Sequence, residues 1–129
     1  MSLNDLNSLS QRIISAAIEV HRHLGPGLLE SCYQKALMTE LLLNGISVER
    51  EVPIPLVYKG TRVECGFRAD IIVEDRIIVE LKATESYNPL FAKQLLTYLR
   101  LSGKELGLVL NFNRPTLREG IERVINTIL

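Results

Sequence analysis

The hydrophobic pattern of the first 43 residues predicts two helices. Across residues 5–24 the apolar side chains recur every three or four positions, which places them along one face of an amphipathic helix. The same spacing returns across residues 28–43. Between these stretches, Gly25-Pro26-Gly27 stops the first helix. We therefore expect two helices joined by a sharp corner.

Between residues 46 and 83 the pattern changes to that of β-strands. β-branched residues dominate and turn residues punctuate the segment, so four strands are predicted, over residues 47–52, 54–59, 62–73 and 76–83. Pro53 and Pro55 indicate that their strand lies at an edge or a bend. The last of the four strands contains IIVELKA, whose apolar residues point to both faces, and this favours the centre of the sheet.

The rest of the chain predicts a helix, a strand and a helix. An Asn-Pro dipeptide suits the start of a third helix, and Gly103 ends it. An apolar strand is predicted over residues 105–112. The helix before it can serve as a crossover connection, so this strand can pair in parallel with the sheet. Thr116 and Glu119 form a capping box, from which a last helix is predicted. The predicted order is ααββββαβα, an α/β (α+β) fold with a central mixed sheet flanked by helices, in one domain over residues 1–129.

Composition and charge limit the functional classes. Lys plus Arg number 15 and Asp plus Glu number 15, so the formal net charge is zero. A protein without excess positive charge lacks the general attraction that drives non-specific nucleic-acid binding, and any site for a polyanion must be local. The sequence shows neither a leader pattern nor an apolar run long enough for a membrane span. We expect a soluble, cytoplasmic protein.

The cysteines and histidines suggest no metal site. Cys32 and Cys65 match no metal-ligand spacing and are too few for a disulfide scaffold. His21 and His23 lie two apart on the first predicted helix, so their side chains diverge. Near the end of that helix they are expected to be solvated.

Three charged residues stand in or beside the most apolar strands. Glu80 and Lys82 are two apart on one strand and therefore leave the same face of the sheet. Whether Asp70 joins them depends on the hairpin register, because a slip of one residue moves it to the opposite face. A three-residue turn over residues 74–76 places Asp70 opposite Glu80, whereas a two-residue turn separates them.

In the favourable register, two carboxylates share one face and repel each other unless a proton or cation intervenes. Mg²⁺ is commonly held by one or two carboxylates together with water and phosphate oxygens. Lys82 could then orient the attacking water or stabilise developing charge. In the alternative, Asp70 and Glu80 lie at strand ends and Lys82 is an ion-pair partner of Glu80 or Glu85. The spacing alone leaves both interpretations open.

Two motifs resemble a known group of proteins. Asp70 with Glu80-Leu81-Lys82 resembles the signature of the PD-(D/E)XK nuclease superfamily, and GLLESCY, residues 27–33, resembles the pattern that names the GxxExxY family within it. The resemblance covers residues 13–113, and Ala69 stands where the superfamily name has Pro. It implies a restriction-endonuclease-like core and a nuclease that uses Mg²⁺ or Mn²⁺.

The resemblance also implies residue roles in the central site. Asp70 and Glu80 would be metal ligands, and Lys82 would be the catalytic lysine. An acidic residue on the preceding helix, here Glu30, would complete the metal site. A first-turn acid such as Glu30 is also favoured by the helix dipole, so the residue has a structural explanation as well.

The helices carry further candidates. In RecB-like members of the superfamily, a Gln and a Tyr four apart on the following helix assist catalysis, and Gln94 and Tyr98 match them. Lys93 and Arg100 fall at helical spacing and could contact substrate phosphates, although an exposed solvated stripe explains them too. Tyr33 is interpreted as a packing residue whose hydroxyl finds a polar partner.

Two functions remain open at this point. The first is a Mg²⁺-dependent nuclease that hydrolyses phosphodiester bonds, with DNA favoured over RNA as the nucleic-acid partner. The second is a catalytically silent module of the nuclease fold that binds nucleic acid or protein, which the neutral charge and the small surface favour. A homodimer is a further expectation, because dimerisation gives a compact neutral core a larger surface with which to bind DNA.

Overall fold

A computed structural model of the chain describes residues 3–64 and 67–127. The predicted mixed sheet flanked by helices is confirmed. In chain order, the elements are α1 (Leu3–Leu24), α2 (Glu30–Leu43), β1 (Val48–Pro53), β2 (Leu56–Tyr58), β3 (Thr61–Val63), β4 (Arg68–Val73), β5 (Ile77–Lys82), α3 (Leu90–Ser102), β6 (Leu106–Asn111), a 3₁₀ helix (Leu117–Gly120) and β7 (Ile121–Ile125).

The main sheet has five strands in the order β1-β4-β5-β6-β7. β5 occupies the centre, as predicted, and pairs in parallel with β6, while the other neighbours are antiparallel. The parallel pair is connected by α3, which crosses over one face of the sheet. β1 ends at Pro53 and lies at an edge of this sheet, and Pro55 lies between β1 and β2. The single strand predicted over residues 62–73 is wrong: β3 pairs with β2 in a separate hairpin, and β4 begins at Arg68 in the main sheet.

Helices cover both faces of the sheet. Side chains that alternate along β4 and β5 enter two different cores, as the twofold period of a strand requires. The core beneath α1 and α2 includes Ile13, Leu37, Ile71, Val79 and Leu81. The core beneath α3 includes Ile72, Ile78, Leu95, Leu99 and Val109. Glu80 and Lys82 share the strand parity of Ile78 and therefore belong to the face that α3 covers.

The predicted last helix is wrong. The capping box of Thr116 and Glu119 is present, but it opens a single 3₁₀ turn that gives way to β7 at Ile121. Gly120 lies tightly against β6, because a Cβ at this position would fall far inside the contact distance of the backbone oxygen of Asn111. β7 then pairs with β6 and completes its hydrogen bonding, so strand pairing overrides the helical spacing of the apolar residues.

His21 also differs from expectation. Its side chain is buried, not solvated, and its Nε2 lies 3.1 Å from the backbone oxygen of Phe112 and 3.0 Å from that of Arg114. Because both partners are carbonyl oxygens, Nε2 carries a proton and donates. His21 therefore ties the end of α1 to the loop after β6. His23 is exposed, as predicted.

Tyr33 holds the corner between the first two helices. Its ring stacks on Phe112 with a centroid separation of 4.5 Å. Its hydroxyl accepts the N–H of Leu28 and donates to the carbonyl of Gly25. The interpretation of Tyr33 as a packing residue with a polar partner is confirmed.

Two remaining expectations concern cysteines and membranes. Cys32 is exposed with a free thiol, and Cys65 lies outside the described residues. Over the ranges 3–64 and 67–127, no helix is both long enough and apolar enough to cross a membrane.

Candidate active site

The β4–β5 hairpin brings Asp70 and Glu80 together. Its register pairs Val73 with Ile77 and Ile71 with Val79, which is the register that the three-residue turn, one of the two alternatives, would give. Continuing the register by one residue sets Asp70 opposite Glu80. The geometric condition for a shared carboxylate site is therefore met.

The two carboxylates replace the next backbone hydrogen bonds between the strands. The N–H of Leu81 donates to Oδ2 of Asp70 at 2.8 Å. The N–H of Asp70 lies 3.4 Å from Oε1 of Glu80, a weaker contact. Each carboxyl group is thus bonded to the backbone of the neighbouring strand, and the hairpin fixes their relative position.

Glu80 is a buried carboxyl group with an unusual protonation state. Its side chain belongs to an inner strand, and the residue is 6% exposed. Burial, the charge of Asp70 and a hydrogen bond between the two carboxyl groups together raise the pKa of Glu80 to about 9, against the smaller opposing effects of the Asp70 backbone N–H and of Lys82. The pair therefore shares a proton at neutral pH. A hard divalent cation can replace that proton, because oxygen ligands of this kind suit Mg²⁺ and Mn²⁺.

Lys82 lies at the end of β5, two residues beyond Glu80. Its Nζ is 4.6 Å from the centroid of the Phe91 ring on α3, a cation–π contact. Lys82 forms no ion pair with any described residue, so the alternative in which it pairs with Glu80 or Glu85 is not what the structure shows. Its ammonium group is held beside the carboxylates without being neutralised by one of them.

α3 places Tyr98 against the carboxylate pair. The residue is 6% exposed, and the pKa of its hydroxyl is raised, first by desolvation and then by the charges of Glu80 and Asp70. Its ring lies 5.5 Å from that of Phe67. Gln94 precedes Tyr98 by one helical turn and is exposed. The structure thus brings Tyr98 to the carboxylates and leaves Gln94 at the exposed surface of the same helix.

The predicted phosphate contacts, Lys93 and Arg100, lie on α3. Both side chains are exposed on α3 and make no ion pair within the described part of the chain. Lys104, just beyond the helix, instead binds the turn after β4 through the backbone oxygen and Oδ1 of Asp75. A role for Lys93 and Arg100 in substrate binding stays a prediction.

Glu30 approaches from α2, but it does not complete a preformed metal cluster. It is exposed in the first turn of α2 and lines a cavity together with Asp70 and Leu81. Among the residues that the structure describes, no group of three or more His, Cys, Asp or Glu side chains could hold a metal ion. Glu30 as a third ligand therefore also stays a prediction.

Two residues of this cavity were missed from the sequence. Gln34 donates to the backbone oxygen of Asp70 at 2.9 Å and lies 3.2 Å from Oε1 of Glu51. Glu51 has a left-handed backbone conformation, with φ at 52°, opposite Asp70 on the edge strand. Gln34 follows Glu30 by four residues, so their common helical face was an available signal. Glu51 depends on the long-range register of β1 with β4, which no local pattern predicts.

The comparisons with known proteins give one match. A family model described as the PD-(D/E)XK nuclease superfamily matches residues 7–124, a span that includes Asp70, Glu80 and Lys82. Neither curated proteins nor solved structures give a match.

Proposed function

The chain belongs to the PD-(D/E)XK nuclease superfamily, whose members are generally nucleases, and we propose that it is a Mg²⁺- or Mn²⁺-dependent nuclease acting at Asp70 and Glu80. The observation that carries the proposal is the buried carboxyl group of Glu80, which faces a second carboxyl group and has a lysine two residues away. Perturbed ionisable groups of this kind concentrate at functional sites.

The donor set supports the proposed cofactor. Asp70 and Glu80 offer carboxylate oxygens, and Glu30 could add a third carboxylate from the first turn of α2. The remaining coordination positions would be filled by water and phosphate oxygens, as is usual for Mg²⁺. When bound, the cation would activate water and offset the charge that develops at phosphorus.

The protein side chains have separate tasks in this proposal. Asp70 and Glu80 hold the cation, and Lys82 orients the attacking water or stabilises negative charge on the phosphate as the water attacks in line. The charges of both carboxylates contribute, after desolvation, to the raised pKa of Tyr98. The Tyr98 hydroxyl is therefore near enough to assist at the same site. Gln94, one turn earlier on α3, is proposed to assist from the exposed side.

The substrate is a nucleic acid, and DNA is proposed in preference to RNA. Lys93 and Arg100 on α3 are proposed to contact its phosphates, since both are exposed cations without an ion-pair partner among the residues that the structure describes. The motif at residues 27–33 supports placement with the GxxExxY proteins, and Gln94 with Tyr98 supports a RecB-like arrangement.

Metal-dependent cleavage tests the proposed function. Labelled single-stranded and duplex DNA and RNA are incubated with the wild type and with Lys82→Ala, in Mg²⁺, in Mn²⁺ and in EDTA. We expect the wild type to cleave in either metal and not in EDTA, and Lys82→Ala to be slower by roughly 10²-fold, the usual cost of losing one charge-stabilising group. Glu85→Gln, an exposed site near the strand end, should match the wild type.

A nuclease-fold module without turnover is the second candidate. The observation that favours it is that Glu30 forms no metal-holding group with Asp70 and Glu80 in the described part of the chain. Failure of the wild type to cleave any of these substrates in either metal, while it still binds them, would favour this candidate over the nuclease.

A further inference from the structure

A second cavity lies next to the carboxylate pair. Its floor includes Val109 and Asn111 of β6. These residues pair in parallel register with Glu80 and Lys82, respectively. Neighbouring strands are about 4.8 Å apart, so the cavity starts one strand away from the proposed catalytic residues. The carboxyl ends of parallel strands are also where α/β sheets usually bind ligands.

Two aromatic side chains form part of the cavity wall. Phe91 comes from α3 and Tyr87 from the loop before that helix, and Tyr87 is 62% exposed. The Phe91 ring is the same ring that lies beneath the ammonium of Lys82. An aromatic surface therefore extends from the proposed catalytic lysine into the cavity. Nucleobases of single strands stack on such surfaces with little dependence on sequence.

The charged groups of the cavity differ in how they are paired. Glu119 accepts hydrogen bonds from the N–H and hydroxyl of Thr116, and Glu122 accepts one from the Tyr87 hydroxyl. Arg114, in contrast, has a buried Nε that lacks any hydrogen-bond partner among the described residues. A buried guanidinium N–H without a partner is costly, and phosphate is one of its best partners.

We propose that this cavity binds one nucleotide of a single-stranded nucleic acid beside the scissile bond. The base stacks on Phe91 and Tyr87, and its phosphate is bound by Arg114. The cavity volume of about 230 Å³ is below the roughly 300–1,000 Å³ typical of sites for drug-sized ligands, so it suits a single base. A single strand can supply such a base without first unstacking it from a duplex. The inference rests on the proposed function, because it places the nucleotide relative to cleavage at Asp70 and Glu80.

Binding of a short labelled oligothymidylate, followed by fluorescence anisotropy, tests the phosphate contact. All proteins carry Asp70→Asn, which prevents cleavage during the measurement. We expect Arg114→Gln to weaken binding roughly tenfold and to reduce the salt-dependence slope by about 0.7, the value for one phosphate contact on a single strand. Arg118→Gln, an exposed arginine outside the cavity, is the matched control and should leave both quantities unchanged.

An abasic version of the same strand tests the stacking contact. Phe91→Leu should weaken binding of the intact strand roughly fivefold or more and leave binding of the abasic strand unchanged. Leu90→Ala, an exposed neighbour outside the cavity, should affect neither strand. Melting temperatures of all variants are measured in parallel, so that a folding defect is not taken for a binding defect.

The outcomes separate this inference from the nuclease proposal. The nucleotide subsite is overturned if Arg114→Gln and Arg118→Gln bind the strand equally well. It is also overturned if Phe91→Leu weakens binding of the intact and abasic strands to the same extent. Either result counts against the subsite even where the wild type cleaves nucleic acid. If the wild type cleaves nothing and the selective losses still occur, the subsite stands and the nuclease proposal fails.

Discussion

Glu80 determines the chemistry of the candidate site at the scale of single residues. Its carboxyl group is buried on the central strand, opposite Asp70, and burial with that neighbouring charge raises its pKa to about 9. A carboxyl group that remains protonated at neutral pH in the folded chain costs stability as the pH rises, and it releases its proton when a cation arrives. Both consequences can be measured without a substrate.

The stability of the metal-free protein should fall as the pH rises from about 5 to 9. The unfolded chain loses the Glu80 proton near pH 4.5, whereas the folded chain keeps it until about pH 9. Between these values the unfolded state binds fewer protons, so the free energy of unfolding decreases by up to about 1.4 kcal/mol per pH unit from this residue. Urea denaturation in EDTA at several pH values measures this slope.

Glu80→Gln should remove this contribution. Gln cannot ionise, so the variant should show a flatter pH dependence. It should also exceed the wild type in stability at pH 8, where the unfolded wild-type chain must take up a proton at Glu80 in order to fold. Glu85→Gln controls for the loss of an exposed charge and should keep the wild-type slope. A Glu80→Gln variant with the wild-type slope would contradict the raised pKa.

At the scale of elements, the local sequence predicted the helix ends and turns that neighbouring residues determine. The corner after α1 and the end of α3 at Gly103 follow from turn and capping residues, whereas the sequence left the length of the turn between β4 and β5 open. The last element was mispredicted because the spacing of its apolar residues fits a helix. In the structure this segment instead pairs with β6 as a strand. Gly120, a poor helix residue inside the predicted helix, was the available signal.

Gly120→Ala should be strongly destabilising, because the added Cβ meets the backbone oxygen of Asn111, which cannot move without disturbing β6. We expect a loss of about 1–3 kcal/mol, the typical cost of overpacking. Gly107→Ala is the comparator, since its Cβ would meet atoms of the Leu95 side chain, the nearest at 2.8 Å, and a side chain can adjust. Thermal denaturation that ranks Gly107→Ala as the more damaging change would contradict this account.

At the scale of the whole molecule, the net charge is zero, and the residues proposed for catalysis and nucleotide binding lie in one region. Glu80, Lys82 and Tyr98 lie on the face of the sheet that α3 covers, and Asp70 meets Glu80 from the neighbouring strand and lines a cavity with Glu30 of α2. The cavity with Arg114 begins one strand away, at β6. The spacing of Asp70, Glu80 and Lys82 left two interpretations open, and their resemblance to the superfamily signature singled them out, because all three lie on adjacent strands joined by a short turn. The sequence did not predict Gln34, Phe91 or Arg114, since their positions depend on packing between elements distant in the chain.

Calorimetric titration with Mn²⁺ tests the central claim, that Asp70 and Glu80 form a metal site. The wild type is titrated at pH 7 in two buffers of different ionisation enthalpy, alone and with a phosphorothioate single strand that can supply phosphate ligands. We predict binding with release of about one proton per ion, because Glu80 is protonated before the ion enters. Asp70→Asn and Glu80→Gln should lose this binding, and Glu85→Gln should keep it. Absence of Mn²⁺ binding to the wild type under both conditions, or unchanged binding and proton release in Glu80→Gln, would contradict the account.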